Sequence, residues 1–220
     1  MVSSPGKLLK FYRRVATQGW RACKHYTYTY ANPRLRDWLA HRLPYDSTVL
    51  TVGCGSGELE TDLKKRTHRV VGLDISAEMV RVASYRGFKS LVQADAHFLP
   101  FRSSCFDVVI FPESLGYLKI DRAIREANRV LTNKGRLIIT TYPSHSIVHS
   151  LYAQLSVAEL RWHLAEAGFR IRTLRFLRTA RKQITLVRSE GRSTLLYMLA
   201  TKSYSDVSSS IPRQRTARGV

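Results

Sequence analysis

Glycines stand at alternate positions in Val49-Leu50-Thr51-Val52-Gly53-Cys54-Gly55-Ser56-Gly57, directly after an apolar run. Backbone that lacks a Cβ can turn sharply and approach a bound molecule closely, so this segment reads as a loop that cradles a ligand. A dinucleotide fingerprint would place its third glycine at position 58, where Glu58 stands; the spacing is GxGxG, not GxGxxG. Two carboxylates follow. Asp74 lies 17 residues past Gly57 in Val70-Val71-Gly72-Leu73-Asp74-Ile75-Ser76. At a strand end it can accept both hydroxyls of a ribose, or it can cap the next helix. Asp95 in Gln93-Ala94-Asp95-Ala96-His97 can accept a hydrogen bond from the adenine amino group, or close a turn on its own backbone. In the first use of each, the three features would together suit an adenosine.

Elements must bring these residues to one edge. Thr48–Val52, Arg69–Leu73, Ser90–Gln93, Phe106–Phe111 and Arg136–Tyr142 read as strands, and Glu58–Arg66, Ala77–Tyr85 and Asp121–Leu131 as the helices between them. Strands alternating with helices predict a parallel sheet covered on both faces, with its ligand outside the C-terminal strand ends, where strand order reverses. Further on, Ser156–Gly168 reads as a helix with Ser156 and Glu159 forming a capping box. Arg170–Leu177 and Leu195–Thr201 read as closing strands. Ahead of the alternation, Leu8, Phe11, Tyr12, Val15 and Gly19 have helical spacing, and Pro33 after Asn32 opens a second helix through Leu43, with Leu35, Trp38 and Leu39 facing inward.

A chain of 220 residues suits one full α/β domain. Three cysteines, Cys23, Cys54 and Cys105, lack CxxC spacing and read as ordinary buried thiols of a reducing, cytoplasmic compartment. No run approaches the roughly 20 apolar residues that span a bilayer, and no secretory leader is visible. The net charge of +20 is concentrated at the ends: residues 1–43 carry +8, 44–143 carry +3 and 144–220 carry +9. Such basic ends suit an anionic partner, RNA or an acidic membrane surface, or simply a solvated face. The acid-free first 30 residues also leave peripheral membrane association or organellar targeting open.

In this order and spacing, and joined by Cys105-Phe106-Asp107-Val108-Val109-Ile110-Phe111 and Arg129–Ile139, the motifs resemble the class I S-adenosylmethionine (SAM)-dependent methyltransferases. The resemblance runs from about Thr48 to Thr201 and is to the group that includes the ubiquinone/menaquinone C-methyltransferases. It implies a Rossmann-like, seven-stranded, mostly parallel sheet with helices on both faces. It implies SAM as cofactor and in-line methyl transfer to a small-molecule or lipid-like acceptor; an RNA- or ribonucleoprotein-associated enzyme, or a catalytically degenerate SAM binder, is the alternative. Under it, Thr51, Gly53, Cys54, Gly55 and Gly57 border the methionine end, Asp74 and Ile75 the ribose, Asp95 and Ala96 the adenine, and Phe111-Pro112-Glu113 the transferable methyl. His97 would lie beside the cofactor. Two positions depart from the pattern. Members usually carry an acid two residues before the first glycine, which helps hold the cofactor's ammonium group; here Thr51 stands there. The usual Pro-Gly before the fifth strand is Asn133-Lys134, with Gly135 free to supply a left-handed turn.

The sulfonium brings its own reactivity, so the chain must orient the acceptor and, for a phenol or enol, supply a base. Glu113, Tyr117, Tyr142, His145 and His149 follow the fourth and fifth strands and are the candidates. His145 and His149 would share a helical face but lack a third ligand, so no metal is expected. Only Pro143–Leu155 separates the fifth strand from the next helix, so cover falls to the aromatic N-terminal segment with Phe11, Tyr12, Trp20, Tyr26, Tyr28 and Tyr30. The chain thus divides into an N-terminal helical segment on the substrate side (1–43), a methyltransferase domain (44–202) and a basic, Ser-rich, disordered tail (203–220).

Overall fold

The computed structural model describes residues 5–18, 32–67, 69–142, 152–180, 183–193 and 195–203. Two helices, α1 (Pro5–Gln18) and α2 (Pro33–Ala40), lead into the alternation β1 (Val49–Val52), α3 (Glu58–Leu63), β2 (Val70–Asp74), α4 (Ala77–Tyr85) and β3 (Leu91–Gln93). The chain continues through β4 (Phe106–Pro112), α5 (Ile120–Val130), β5 (Leu131–Thr141), α6 (Val157–Glu166), β6 (Phe169–Ala180), β7 (Gln183–Val187) and β8 (Leu195–Lys202). Local signals set several of these boundaries. Asn32 caps α2 ahead of Pro33, Ser76 caps α4, and the capping box of Ser156 and Glu159 starts α6.

One sheet runs in the order β3-β2-β1-β4-β5-β8-β6-β7. Strands β1 to β5 are parallel, and β8, β6 and β7 join antiparallel. The mostly parallel Rossmann-like architecture is as expected, with eight strands among the described residues in place of seven. The additional strand is β7, which returns along β6 with Phe176 opposite Val187 and Ala180 opposite Gln183. Another difference lies at β5, which begins at Leu131; its register with β4 jumps from Phe106–Leu131 to Val108–Arg136. Gly135 is not in a left-handed conformation. It is needed for closeness instead: a Cβ there would lie 2.8 Å from a Leu131 methyl and 2.9 Å from the Thr132 carbonyl.

Apolar clusters cover both faces of the sheet. On one, Ala123, Ile124 and Ala127 of α5 and Leu160 and Leu164 of α6 meet Val109, Phe111, Leu137 and Met198. On the other, Leu35 and Leu39 of α2 and Leu59 and Leu63 of α3 meet Val49, Val108, Ile110 and Tyr197. Thus α2 is part of the main core. Cys54 is buried, whereas Cys105 is only half-buried; Cys23 lies outside the described residues. Among the described residues no helix is long and apolar enough to cross a membrane.

One side chain in this interior is out of character. Glu60 on α3 has no exposed surface, and neither carboxylate oxygen completes a hydrogen bond, although the Thr51 hydroxyl lies beside it. Burial raises its pKa to about 7, an effect the Thr51 hydroxyl offsets in part. The folded chain therefore keeps a proton that an unfolded glutamate, with a pKa of about 4.3, has lost. The resulting penalty is absent near pH 4, grows as pH rises from about 4.5 to 7, and is constant above. Glu60→Gln is accordingly expected to stabilise the unliganded protein at pH 8 by on the order of 3 kcal/mol and to change it little at pH 4.5, as measured by denaturant unfolding at both values.

Candidate functional site

The end of β1 lies between β2 and β4, where the strand order turns back. Gly53, Gly55 and Gly57 all have left-handed backbone, with φ of 82°, 54° and 78°, which strains residues that carry a Cβ. At Gly53 the constraint is also steric. A Cβ there would lie 2.5 Å from that of Ser114, whose hydroxyl donates to the Val52 carbonyl and ties the loop after β4 to the end of β1. At Gly55 the opposite holds: nothing lies within 4 Å of the missing Cβ, so the middle of the loop faces open space. Cys54 turns its thiol inward against Gly72, and burial pushes the thiol pKa up. Only its backbone borders the loop's outer side.

Asp74 anchors that loop. One carboxylate oxygen accepts from the Gly55 N–H and the other from the Ser76 N–H, each at 2.9 Å. Burial pushes its pKa up, against the lowering influence of the Ser76, Gly55 and Ile75 N–H groups. Helix capping, the other use open to Asp74, falls to Ser76, whose hydroxyl accepts from the Met79 N–H at 3.3 Å. A carboxylate offers about four acceptor positions, so capacity remains for a ligand hydroxyl. Beyond β3, Asp95 closes the turn by accepting from the His97 N–H at 2.9 Å and meets the His97 ring at 2.6 Å. The other ring nitrogen of His97 faces the Lys119 N–H at 2.9 Å, so His97 clamps the β3 loop to the start of α5. Asp95 keeps 44 % of its side chain exposed while Ala96 is buried beneath it.

On the other side of β1, β4 delivers Phe111, fully buried, and then Glu113, buried with a left-handed φ of 57°. The Tyr142 hydroxyl donates to Glu113. Around this pair, Tyr117, Tyr142 and Tyr152 form an aromatic cluster, with Tyr117 and Tyr152 edge to face at 4.9 Å and Tyr142 and Tyr152 at 5.4 Å. The Tyr152 hydroxyl meets that of Thr141 at 2.6 Å, and burial drives its pKa upward. From α1, Tyr12 reaches down to Tyr117 at 5.8 Å, edge to face. Burial, with Tyr117 and Asp74 close by, raises the Tyr12 pKa as well. Helix α1 of the N-terminal segment thus packs beside the tyrosine cluster, with Arg13 paired to Glu78 at 3.1 Å.

The structure thus gathers Thr51, Gly53, Gly55, Gly57, Asp74, Ile75, Asp95, Ala96, Phe111, Glu113, Tyr117 and Tyr142 along one edge. His145 and His149, and with them Trp20, Tyr26, Tyr28 and Tyr30, lie outside the described residues. Of the basic residues on the α5 side, Arg129 is engaged by Glu126 and by the Phe101 and Leu99 carbonyls, and Arg125 by Asp121. Sequence reasoning overlooked Ser114, Tyr152 and Glu60. The first two are met only through long-range packing. Glu60 had one signal, an acid one helical turn inside the loop whose own acid position is Thr51. Among the described residues no group of His, Cys, Asp and Glu could hold a metal ion.

Comparison with known proteins bears on this edge. A family model described as a methyltransferase domain matches residues 50–139. An uncharacterised protein of Methanocaldococcus jannaschii is 44% identical over 93 residues, 42% of this chain and 36% of its own length. The 27-O-demethylrifamycin SV methyltransferase of Amycolatopsis mediterranei is 34% identical over 164 residues, 63% of this chain and 60% of its own. The chain thus matches less than two thirds of the length of either relative. Among solved structures, the 1,6-didemethyltoxoflavin-N1-methyltransferase of Burkholderia thailandensis, with bound 1,6-didemethyltoxoflavin and S-adenosylhomocysteine, shares the fold at a TM-score of 0.68 and 18% identity, covering 93% of this chain and 92% of that one. With its glycine loop at the turning point of the sheet, the chain carries a methyltransferase-domain match across β1 to β5 and shares the fold of the class I SAM-dependent methyltransferases.

Proposed function

We propose that this protein binds SAM along the C-terminal edge of β3, β2 and β1 and transfers its methyl group to a small-molecule or lipid-like acceptor held beside the tyrosine cluster beyond β4. One observation carries the reading: the row of Asp95, Asp74, the open face at Gly55 and then the Glu113–Tyr142 pair, in the order of the strands that present them. The residues present fit the cofactor, since Asp74 has acceptor capacity left and Gly55 leaves its approach free. When bound, SAM supplies an electrophilic methyl on sulfur. What the chain contributes is orientation, exclusion of water and handling of one proton. Tyr12, Tyr117 and Tyr152 supply apolar surroundings beside the acceptor. Glu113 is positioned to accept the proton that an acceptor hydroxyl loses as its oxygen bonds to the methyl carbon. A reducing, cytoplasmic setting completes the reading, supported by the free thiols of Cys54 and Cys105.

A second reading, an RNA-associated enzyme, has one observation in its favour: Arg170, Arg172, Arg175 and Arg178 are all exposed along β6. Single-stranded RNA bound there should lose affinity steeply and log-linearly with salt. An RNA affinity that is flat between 50 and 200 mM salt would remove this reading.

Calorimetry with S-adenosylhomocysteine should show one site per chain, and Asp74→Ala should weaken it at least tenfold; a native protein without detectable binding would overturn the assignment. For phenolic acceptors, Glu113→Gln and Tyr142→Phe are expected to slow acceptor-dependent release of S-adenosylhomocysteine, the former by about 100-fold or more. Their affinity for S-adenosylhomocysteine should stay within about threefold of native, which separates a role at the acceptor from one at the cofactor.

A further inference from the structure

The strand order β3-β2-β1-β4 sets Asp95, Asp74, the glycine loop and Glu113 side by side. A ligand whose adenine lies at Asp95 and whose ribose lies at Asp74 must lay its remaining part across the end of β1. In SAM that part is an amino acid, and it carries an ammonium group. Thr51, at the end of β1, is neutral and fully buried, with its hydroxyl turned toward the Val71 carbonyl at 3.4 Å. The negative charge nearest to it belongs to Glu60, set inward by the first turn of α3 between Leu59 and Leu63. Neither oxygen of Glu60 completes a hydrogen bond with the described residues, and the groups acting on it among them are Thr51, Asp74, Cys54 and its own backbone, none of them a cation.

We propose, resting on the methyltransferase reading above, that Glu60 is the residue that recognises the ammonium group of the cofactor, its carboxylate acting from beneath the glycine loop beside Thr51. A position that needed only to be filled would be served better by an apolar side chain, since a buried carboxylate without a partner costs stability. A cationic ligand group close by turns that cost into selectivity, because the uncompensated charge then favours the ligand that carries the matching one. Thr51 has a part in this arrangement: its small side chain leaves the carboxylate room to reach the end of β1.

The test compares S-adenosylhomocysteine with 5′-methylthioadenosine, which has the same adenine, ribose and thioether but no amino acid. Calorimetry on Glu60→Gln should show S-adenosylhomocysteine bound at least tenfold more weakly than by native protein, and methylthioadenosine bound within about twofold. Unfolding in the absence of ligand should show no loss of stability. Returning the charge to the strand, in the double variant Thr51→Asp with Glu60→Gln, should bring S-adenosylhomocysteine affinity back to within about threefold of native. The proposal is overturned if Glu60→Gln binds S-adenosylhomocysteine as native does, if it loses both ligands equally, or if the folded double variant remains as weak as the single one. A native protein that binds neither ligand overturns the methyltransferase reading itself, and this inference with it.

Discussion

The Asp74 carboxylate holds the backbone N–H of Gly55 with one oxygen and that of Ser76 with the other, and the layout of the whole edge depends on that division. Through Gly55 it fixes the loop after β1; through Ser76 it fixes the turn that starts α4. Both distances are set by a side chain buried at the end of β2, where a competing water would be costly to admit. The Gly53 and Cys54 N–H groups add two bonds to the Leu73 carbonyl, at 2.7 and 3.0 Å, so loop and strand are joined three residues deep. A ligand hydroxyl that reaches Asp74 therefore meets an acceptor already oriented by the backbone, and little ordering remains to be done on binding.

How much of this could be read from the chain alone follows from how far each interaction reaches. Alternate glycines, the aspartate at a strand end and the capping box of α6 are local patterns, and each appears where its spacing placed it. The parallel strands were legible because buried strands are short apolar runs bounded by turns. β7 was not: Gln183–Val187 mixes polar and apolar residues at a sheet edge, and only its pairing with β6 makes it a strand. Gly135 illustrates a different limit. Its lack of a Cβ matters, but for contact with Leu131 and Thr132 rather than for an unusual dihedral, and sequence does not distinguish the two uses. Glu60 was hidden by a reasonable assumption, that a glutamate early in a helix faces water.

Polar and aromatic chemistry are separated along the edge. Toward β3 the groups are carboxylates and backbone donors, suited to a nucleoside. Beyond β4 they are tyrosines around Glu113, with Gly116 flattened against the Tyr152 ring so that a Cβ would come within 2.5 Å of it. Ser114 stands at the seam, joined to Val52.

Beside that seam lies α1, held by contacts of two kinds. Arg13, 73% exposed, pairs with Glu78, which in turn accepts from the hydroxyl of Ser76, next to the Asp74 anchor; Val15 is buried, and Tyr12 lies edge-on against Tyr117. An exposed ion pair contributes roughly 0–1 kcal/mol and weakens with salt. The sheet is held by burial, whereas α1 combines burial with one exposed, screened charge pair. The ionic surroundings can therefore loosen one contact of α1 while the architecture beneath remains unchanged.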